Sequence, residues 1–383
     1  MFVYTLRRLV FAVGVIWAVY TLTFCLAHIE IFNPALNTVQ GWLGVPEARH
    51  TKLGMADPVR LMLGQHGDVN TVERIREEYG LNDPILLNTR AFRTGAFFAA
   101  ATWGQFLSDQ RHKTQYFRHL LNAVLDFDLG KTFRKRESVA EIIATGALNT
   151  VRLALAAIVI AAVLGLALGI LSAVYQDTWI DRTAMVGAIL GISVPVYLVG
   201  LLMILVFIKQ LRWIPGIGME ESLLPWLVID FPWFLVPPGW TLEVQLPTYL
   251  VLPALALGVR PGAALARMMR TTMLEVIRQD YVRTARAKGL SEWKVVMKHA
   301  VRNALIPVVT ILGLELAGLL TGAILTETVF AYPGLGFQAW NALKDFDVPL
   351  IMGTVLFVSI IYVVANLLVD LSYAFLDPRI RYS

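Results

Sequence analysis

The chain holds few side chains whose types and spacing could do chemistry. Its six histidines are scattered, no HExxH occurs, and Cys25 is the single cysteine. Metal-ligand spacing and an internal disulfide are therefore both absent from the sequence. Gly130–Thr132 reads GKT, like the end of a phosphate loop, but position 125 is leucine where that loop needs its first glycine. No GxSxG nucleophile elbow occurs. What remains is charge in unusual places. Tyr281–Pro307 reads YVRTARAKGLSEWKVVMKHAVRNALIP, in which Arg283, Arg286, Lys288, Lys294, Lys298 and Arg302 face the lone acid Glu292. Glu315 and Arg260 each interrupt an apolar run.

The elements that carry these charges follow from composition. Of 383 residues, 57% are hydrophobic and only 16% charged, with a mean hydropathy of +0.62. Soluble domains run near 45–50% apolar and about 25% charged. The excess is gathered into runs, so we read an all-α polytopic membrane protein with six transmembrane helices and a long extracytoplasmic segment after the first. The net charge of +5 and pI near 9.3 fit basic loops facing anionic lipid and need no nucleic-acid partner.

The expected spans are residues 9–29, 147–175, 183–208, 248–269, 303–329 and 349–373. The first could instead be a signal peptide, since Arg7 and Arg8 precede it; it is long for one, and we retain it as a span. Lysine and arginine in the short loops set the orientation. With residues 1–8 and 374–383 inside, the internal pieces hold Arg7, Arg8, Arg182, Arg270, Arg278, Arg379, Arg381 and the basic segment; the short external loops hold only Lys209, Arg212 and Lys344. Residues 30–146 and 209–247 are then extracytoplasmic, and 270–302 is a cytoplasmic loop. Within the first external piece, Asp68–Tyr79 has the pattern of a capped, salt-bridged helix, and Ala96–Trp103 is an apolar patch too short to span. Trp213–Trp240 is crowded with proline and tryptophan, as an interfacial belt or a lid would be.

Gly165/Gly169, Gly187/Gly191, Gly258/Gly262 and Gly318/Gly322 are small-xxx-small pairs that let helix backbones approach closely. Pro195, Pro253, Pro261 and Pro307 remove helix hydrogen bonds within spans, tolerable only where protein or water re-satisfies the backbone. A charge at bilayer depth costs about 2.5–3.5 kcal/mol by insertion scales. Glu315 is thus expected to face the bundle interior, either paired with Arg260 or protonated; it is a structural hydrogen-bonding group or, with Arg260, a pathway or gate residue. Glu327, near the outer end of the same run, is expected to shape the following loop.

The basic segment divides at Gly289-Leu290-Ser291, with Gly289 as a C-cap and Ser291 as the next N-cap. In the second helix Trp293, Val296, Met297, Ala300 and Ala304 follow an apolar spacing, while Lys294, Lys298 and Arg302 form a separate stripe. Two amphipathic helices meeting at a tight corner can be gripped by a partner or can rest on lipid headgroups.

Ala285-x3-Gly289 before a helix leading into a span resembles the EAA loop of ABC importer permeases. DYVRTARAKGL (Asp280–Leu290) with HAVRNALIP (His299–Pro307) is similar to the dipeptide/oligopeptide/nickel permease family. So are YTLRRLV near the start, YGLNDPI (Tyr79–Ile85), LNTVRLAL (Leu148–Leu155), LTETVFAYPGLG (Leu325–Gly336) and NLLVDLSYAFLDPRIR (Asn366–Arg381). The likeness runs along nearly the whole chain. It departs where Arg283 and Arg302 replace the general pattern's glutamate and proline. A longer stretch before Asp126–Thr132, and IFNPAL in place of a proline-glycine-aspartate element, also depart.

The resemblance implies one membrane subunit of an ATP-driven importer, without a nucleotide site of its own. It would pair with a second permease, two cytoplasmic ATPase subunits that carry ATP and Mg2+, and an extracytoplasmic solute-binding protein. Asp280, Tyr281, Thr284, Ala285, Arg286, Ala287, Gly289, Leu290, Ser291 and Trp293 would couple to an ATPase. Short peptides are the expected solute, with a nickel complex, glutathione or an oligosaccharide as alternatives. An ion-coupled secondary transporter would need carboxylates in two matched halves, and only Glu315 lies deep. A membrane scaffold built around the external segment would not need the kinked, glycine-paired spans.

Overall fold

The computed structural model describes residues 2–27, 114–126, 128–133, 135–213, 226–230, 243–320, 323–345 and 347–376, together with Arg74. The expected helix at Asp68–Tyr79 (Arg74 apart) and the apolar patch at Ala96–Trp103 lie outside these residues. Helices dominate: α1 (Phe2–Ala27), α2 (Gln115–Leu121, extended by a π-turn over Asn122–Asp126), α3 (Val139–Val174), α4 (Trp179–Ser193) and α5 (Val196–Gln210). After a short ribbon come α6 (Thr248–Ile277), α7 (Asp280–Ala287), α8 (Glu292–Leu320), α9 (Ile324–Val329), α10 (Leu335–Asp345) and α11 (Val348–Leu376). The ribbon is the departure from an all-helical chain. Its strands β1 (Trp226–Asp230) and β2 (Glu243–Pro247) pair antiparallel, Trp226 opposite Pro247 and Asp230 opposite Glu243. Apart from Trp213 and β1, the proline- and tryptophan-rich stretch between residues 213 and 240 lies outside the described residues.

Among the described residues, four helices are long and apolar enough to cross a membrane: α3, α6, α8 and the Val348–Ala365 part of α11. The expected third span is broken. α4 and α5 meet at 107°, so they make at most one bent span. Pro195 has no N–H to give, and it pushes Val194 out of the helical region, to φ −81° and ψ 129°. Pro253, Pro261 and Pro307, by contrast, sit inside continuous helices. The fifth expected span is also interrupted: α8 is described to Leu320, and Ala323 (φ −100°, ψ 60°), outside the helical region, starts α9 afresh. In α1 the apolar stretch among the described side chains is Val10–Cys25.

Two compact units are present, each with its own packing: Met1–Thr145 with Gln338–Ile360, and Gly146–Phe337 with Ile361–Ser383. In the first, Tyr20, Phe24, Tyr116, Phe133 and Met352 form the core, and Tyr116 meets Phe24 edge-on with ring centroids 5.1 Å apart. The GKT residues are spent on a turn. Gly130 is left-handed (φ +79°), its N–H donates to Asp128 Oδ1 at 2.9 Å, and Lys131 bridges to Ser138. Asp347 begins α11 by accepting from Phe133 N at 2.9 Å and Leu350 N at 3.3 Å.

The second unit is built on α6. A side chain at Gly165 of α3 would lie 2.6 Å from the Gly262 carbonyl oxygen and 2.7 Å from Leu265 Cβ; one at Gly258 would lie 2.8 Å from the Ala157 oxygen. Glycine therefore brings the two backbones together, replacing a hydrophobic drive that lipid does not supply. The expected Gly187/Gly191 contact is half made: Gly191 lies against Ala263, and Gly187 is open. Gly318 on α8 is open too, and its partner Gly322 is not among the described residues.

Gly165→Leu forces α3 off α6, and overpacking of this kind costs about 1–3 kcal/mol. Its expected signature is a lower thermal midpoint for the detergent-purified protein, whereas Gly313→Ala, with nothing within 4 Å, does not lower the midpoint and, as a helix-favouring change, raises it slightly.

Candidate functional site

The basic segment folds as the corner its sequence suggests, with its own small core. Val282 and Ala285 of α7 and Val295 of α8 are buried together, with Val276 of α6 packed against them. Burying a valine side chain fully stabilises by about 1.5–3 kcal/mol. An exposed ion pair adds about 0–1 kcal/mol, so packing carries the corner and charge trims its geometry. Gly289 closes α7 in the left-handed region (φ +76°), donating to the Arg286 carbonyl at 2.9 Å. A residue with a Cβ is strained there, although the surrounding space is open.

Across the corner Arg286 grips Glu292. Its Nη2 lies 2.6 Å from Oε1, and its Nε 3.1 Å from both carboxylate oxygens. This hydrogen bond is the chief cause that lowers the Glu292 pKa and raises that of Arg286. Ser291 occupies the N-cap position with suitable backbone angles, and its carbonyl accepts from Val295 N at 3.0 Å; its hydroxyl makes no cap bond. Tyr281 Oη accepts from Asn303 Nδ2 at 2.7 Å, which ties α7 to the first turn after the π-helical stretch. Thr284 Oγ1 donates to the Asp280 carbonyl at 2.9 Å, and Asp280 lies 3.8 Å from Arg283. Ala285 is inside the corner, Ala287 on its surface.

One reading of the segment is corrected. Trp293 does not share a face with Val296, Ala300 and Ala304: it is 72% exposed, while those three are buried. The cause is that Val295–Val301 is π-helical. Bonds from i to i+5 widen the turn and shift the stripe, so that Val295 and Val301 point inward beside Val296 and Ala300. Trp293, Leu290, Tyr281 and Met297 are thereby left as an exposed apolar group among basic side chains.

The corner is rooted in the membrane helices. Val296, Ala300, Val301, Ala304 and Val308 of α8 pack with Leu265, Met269 and Met273 of α6 in one cluster, which also includes Ala161 and Ala173 of α3. A buried ionic clasp lies beside it. Asp181 of α4 accepts from Arg270 of α6 through two bonds, 2.6 Å from Nε and 2.7 Å from Nη2. It also accepts from the Ser172 hydroxyl of α3 and from Asp177 N. Asp181 was not legible as a site residue, because Arg182 and Arg270 look like ordinary loop cations in sequence.

The expected pathway residues lie apart. Arg260 is exposed and Glu315 partly exposed, and the two form no ion pair among the described residues. The buried carboxylate of this run is instead Glu327, wholly inaccessible, and it does shape the following loop. It accepts from Thr150 Oγ1 at 2.8 Å and Phe337 N at 3.0 Å, while Tyr332 Oη donates to the Asn149 carbonyl at 3.0 Å. Two stretches distant in sequence, Leu148–Leu155 and Leu325–Gly336, are thus one hydrogen-bonded assembly.

Residues 165–382 match the family of binding-protein-dependent transport system inner membrane components. The chain belongs to that family. It is the permease component of an ABC importer, a membrane-spanning transport subunit. Over its whole length it is 32% identical to the dipeptide transport system permease protein of Alkalihalophilus pseudofirmus, covering 100% of that protein. Over 85% of its length it is 35% identical to a glutathione transport system permease protein of Escherichia coli, covering 89% of it. Among solved structures it is similar to a methionine ABC transporter in inward-facing form, at 17% identity and a TM-score of 0.47 over 62% of this chain and 97% of that one. In this permease, α7 and the start of α8 coincide with the stretch that resembles the family's EAA loop.

Two outcomes test the site. Asp181→Asn leaves Arg270 partly buried without its ionic partner and lowers stability by about 3 kcal/mol, read as a loss of thermal midpoint in detergent. The Arg286–Glu292 pair holds where Glu292 is ionised; its lowered pKa keeps the contribution through neutral pH and surrenders it as pH falls through that depressed value. Hydrogen–deuterium exchange of residues 285–295, corrected for intrinsic rates, accordingly rises in acid, and in Glu292→Gln it is already raised at neutral pH.

Proposed function

We propose that this permease forms half of an inward pathway for short peptides delivered by an extracytoplasmic binding protein. It pairs with a second permease and two cytoplasmic ATPase subunits, which bind ATP and Mg2+. The observation that carries the reading is the corner: a self-packed pair of helices, closed by left-handed Gly289 and the Arg286–Glu292 pair. Its buried root runs into α6 and α8. A partner that seats on exposed Trp293, Leu290 and Tyr281 can push on it without unfolding it. Force then passes into the helices through packed side chains, because a close-packed core transmits strain.

The charge bias of the loops supports a corner on the cytoplasmic side, with both termini there too, in the inner membrane. Peptide cargo is supported by the relatives, named for dipeptide and glutathione transport. Glutathione, a nickel complex or an oligosaccharide carried by the same machinery is the alternative cargo. Asp280, Thr284, Arg286 and Ala287 orient the corner and meet the ATPase at its edge.

Purification of the tagged chain in mild detergent from native membranes should recover a sister permease and two ATPases in stoichiometric amounts; a lone protein would overturn the assembly. In the reconstituted complex, Gly289→Pro should keep the protein in the membrane and keep ATP hydrolysis while uptake is lost. Normal uptake in that variant would remove the coupling role from this corner.

A further inference from the structure

The face of α6 turned away from α3 has no role in the packing described so far. At about 100° per residue, Gly258, Gly262, Leu265 and Met269, which meet α3, lie on the far side of the helix from Arg260. Arg267 and Thr271 fall within about 20° of Arg260 on that outer side. All three are exposed, and neither arginine pairs with an acid among the described residues. One turn before Arg260 on the same face, Ala256 is fully buried. The face is therefore covered over the first half of α6 and opens at Arg260.

Lipid is a poor neighbour for such a face. Arg260 is twelve residues into a 30-residue helix that is apolar enough to span, too deep for its head to reach an interface readily. α6 is also an inner helix, with α3, α4, α5 and α8 all packed on it. Intramembrane arginines face a bundle interior or water rather than lipid tails, and this slot is open, which favours water. Guanidinium groups there present paired donors that match a carboxylate. Two of them about 10 Å apart along the axis give an anionic group successive footholds.

We propose that the Arg260–Arg267 face of α6 lines the translocation path and engages the carboxylate of the passing solute. It rests on the reading of the cargo as short peptides, whose C-terminus supplies that group. Glu315 is not part of this face; it lies on α8, between residues that pack inward.

Because Cys25 is the chain's single cysteine, Cys25→Ser provides a blank background. In the assembled importer, Arg260→Cys and Arg267→Cys should react with a membrane-impermeant, negatively charged methanethiosulfonate. Val163→Cys, on an exposed apolar position of α3, should not. An Arg260→Cys as unreactive as Val163→Cys overturns the path-lining role. In proteoliposomes, Arg260→Gln should raise the half-saturating concentration for alanyl-alanine by about tenfold, the worth of one charge-assisted pair. Arg260→Lys should restore part of it, and the C-terminal amide should be insensitive to either change. An equal loss on acid and amide overturns carboxylate recognition and leaves a structural or lipid-headgroup role. If the wild-type importer moves neither peptide, the cargo reading fails, and the labelling alone then decides whether Arg260 faces water.

Discussion

The closeness of α3 to α6 is the constraint on which the second unit depends. In lipid no solvent pushes two apolar helices together, so their association has to come from contact itself. At Gly165, Gly169, Gly258 and Gly262 there is no room for even a methyl group without displacement. This seam fixes the rotation of α6 about its own axis. That rotation in turn decides where its other side chains go. Arg270 reaches Asp181, Met269 and Met273 meet the foot of α8, and Val276 caps the corner's small core. Arg260 and Arg267 are left over on the remaining side.

Charge and packing divide the labour in the two ionic contacts. The Arg286–Glu292 pair is half exposed, and it adds little energy compared with the buried valines behind it. Its bidentate geometry instead fixes the angle at which α7 meets α8. The Asp181–Arg270 clasp is of another kind. Asp181 is buried and accepts from three residues, so leaving it intact matters more than what it contributes over an apolar substitute. It joins α3, α4 and α6 at one end, next to the cluster into which the corner is rooted.

Much of this was legible in the residues. Apolar runs located the helices, Gly289 located the corner, and the likeness of Asp280–Leu290 and His299–Pro307 to known permeases named the family. The misses share a cause: sequence patterns assume an ideal helix. A run of apolar residues from 183 to 208 does not say that Pro195 turns the chain through 107°. A 3.6-residue spacing put Trp293 on one stripe with Val296 and Ala300, because it could not foresee a π-helical stretch two residues later. Asp181 and Glu327 were hard to weigh for a different reason. A carboxylate's worth depends on donors remote in sequence, Arg270 for one and Thr150 for the other, and only the fold brings them near.

The π-helical stretch at Val295–Val301 makes the direction of the corner a matter of residue count. An α-helix of the same rise would use one residue fewer. Losing a single residue between Val295 and Val301 would let the helix relax to the α form while everything before it kept about its present direction, since six residues at about 100° turn through nearly the angle that seven do in the wider π form. A second loss would meet a helix with no slack left and would swing Trp293 and the tip at Gly289 by about 100° around the axis of α8. The stretch holds one residue in reserve, so the aim of the corner survives one deletion and is reset by the next.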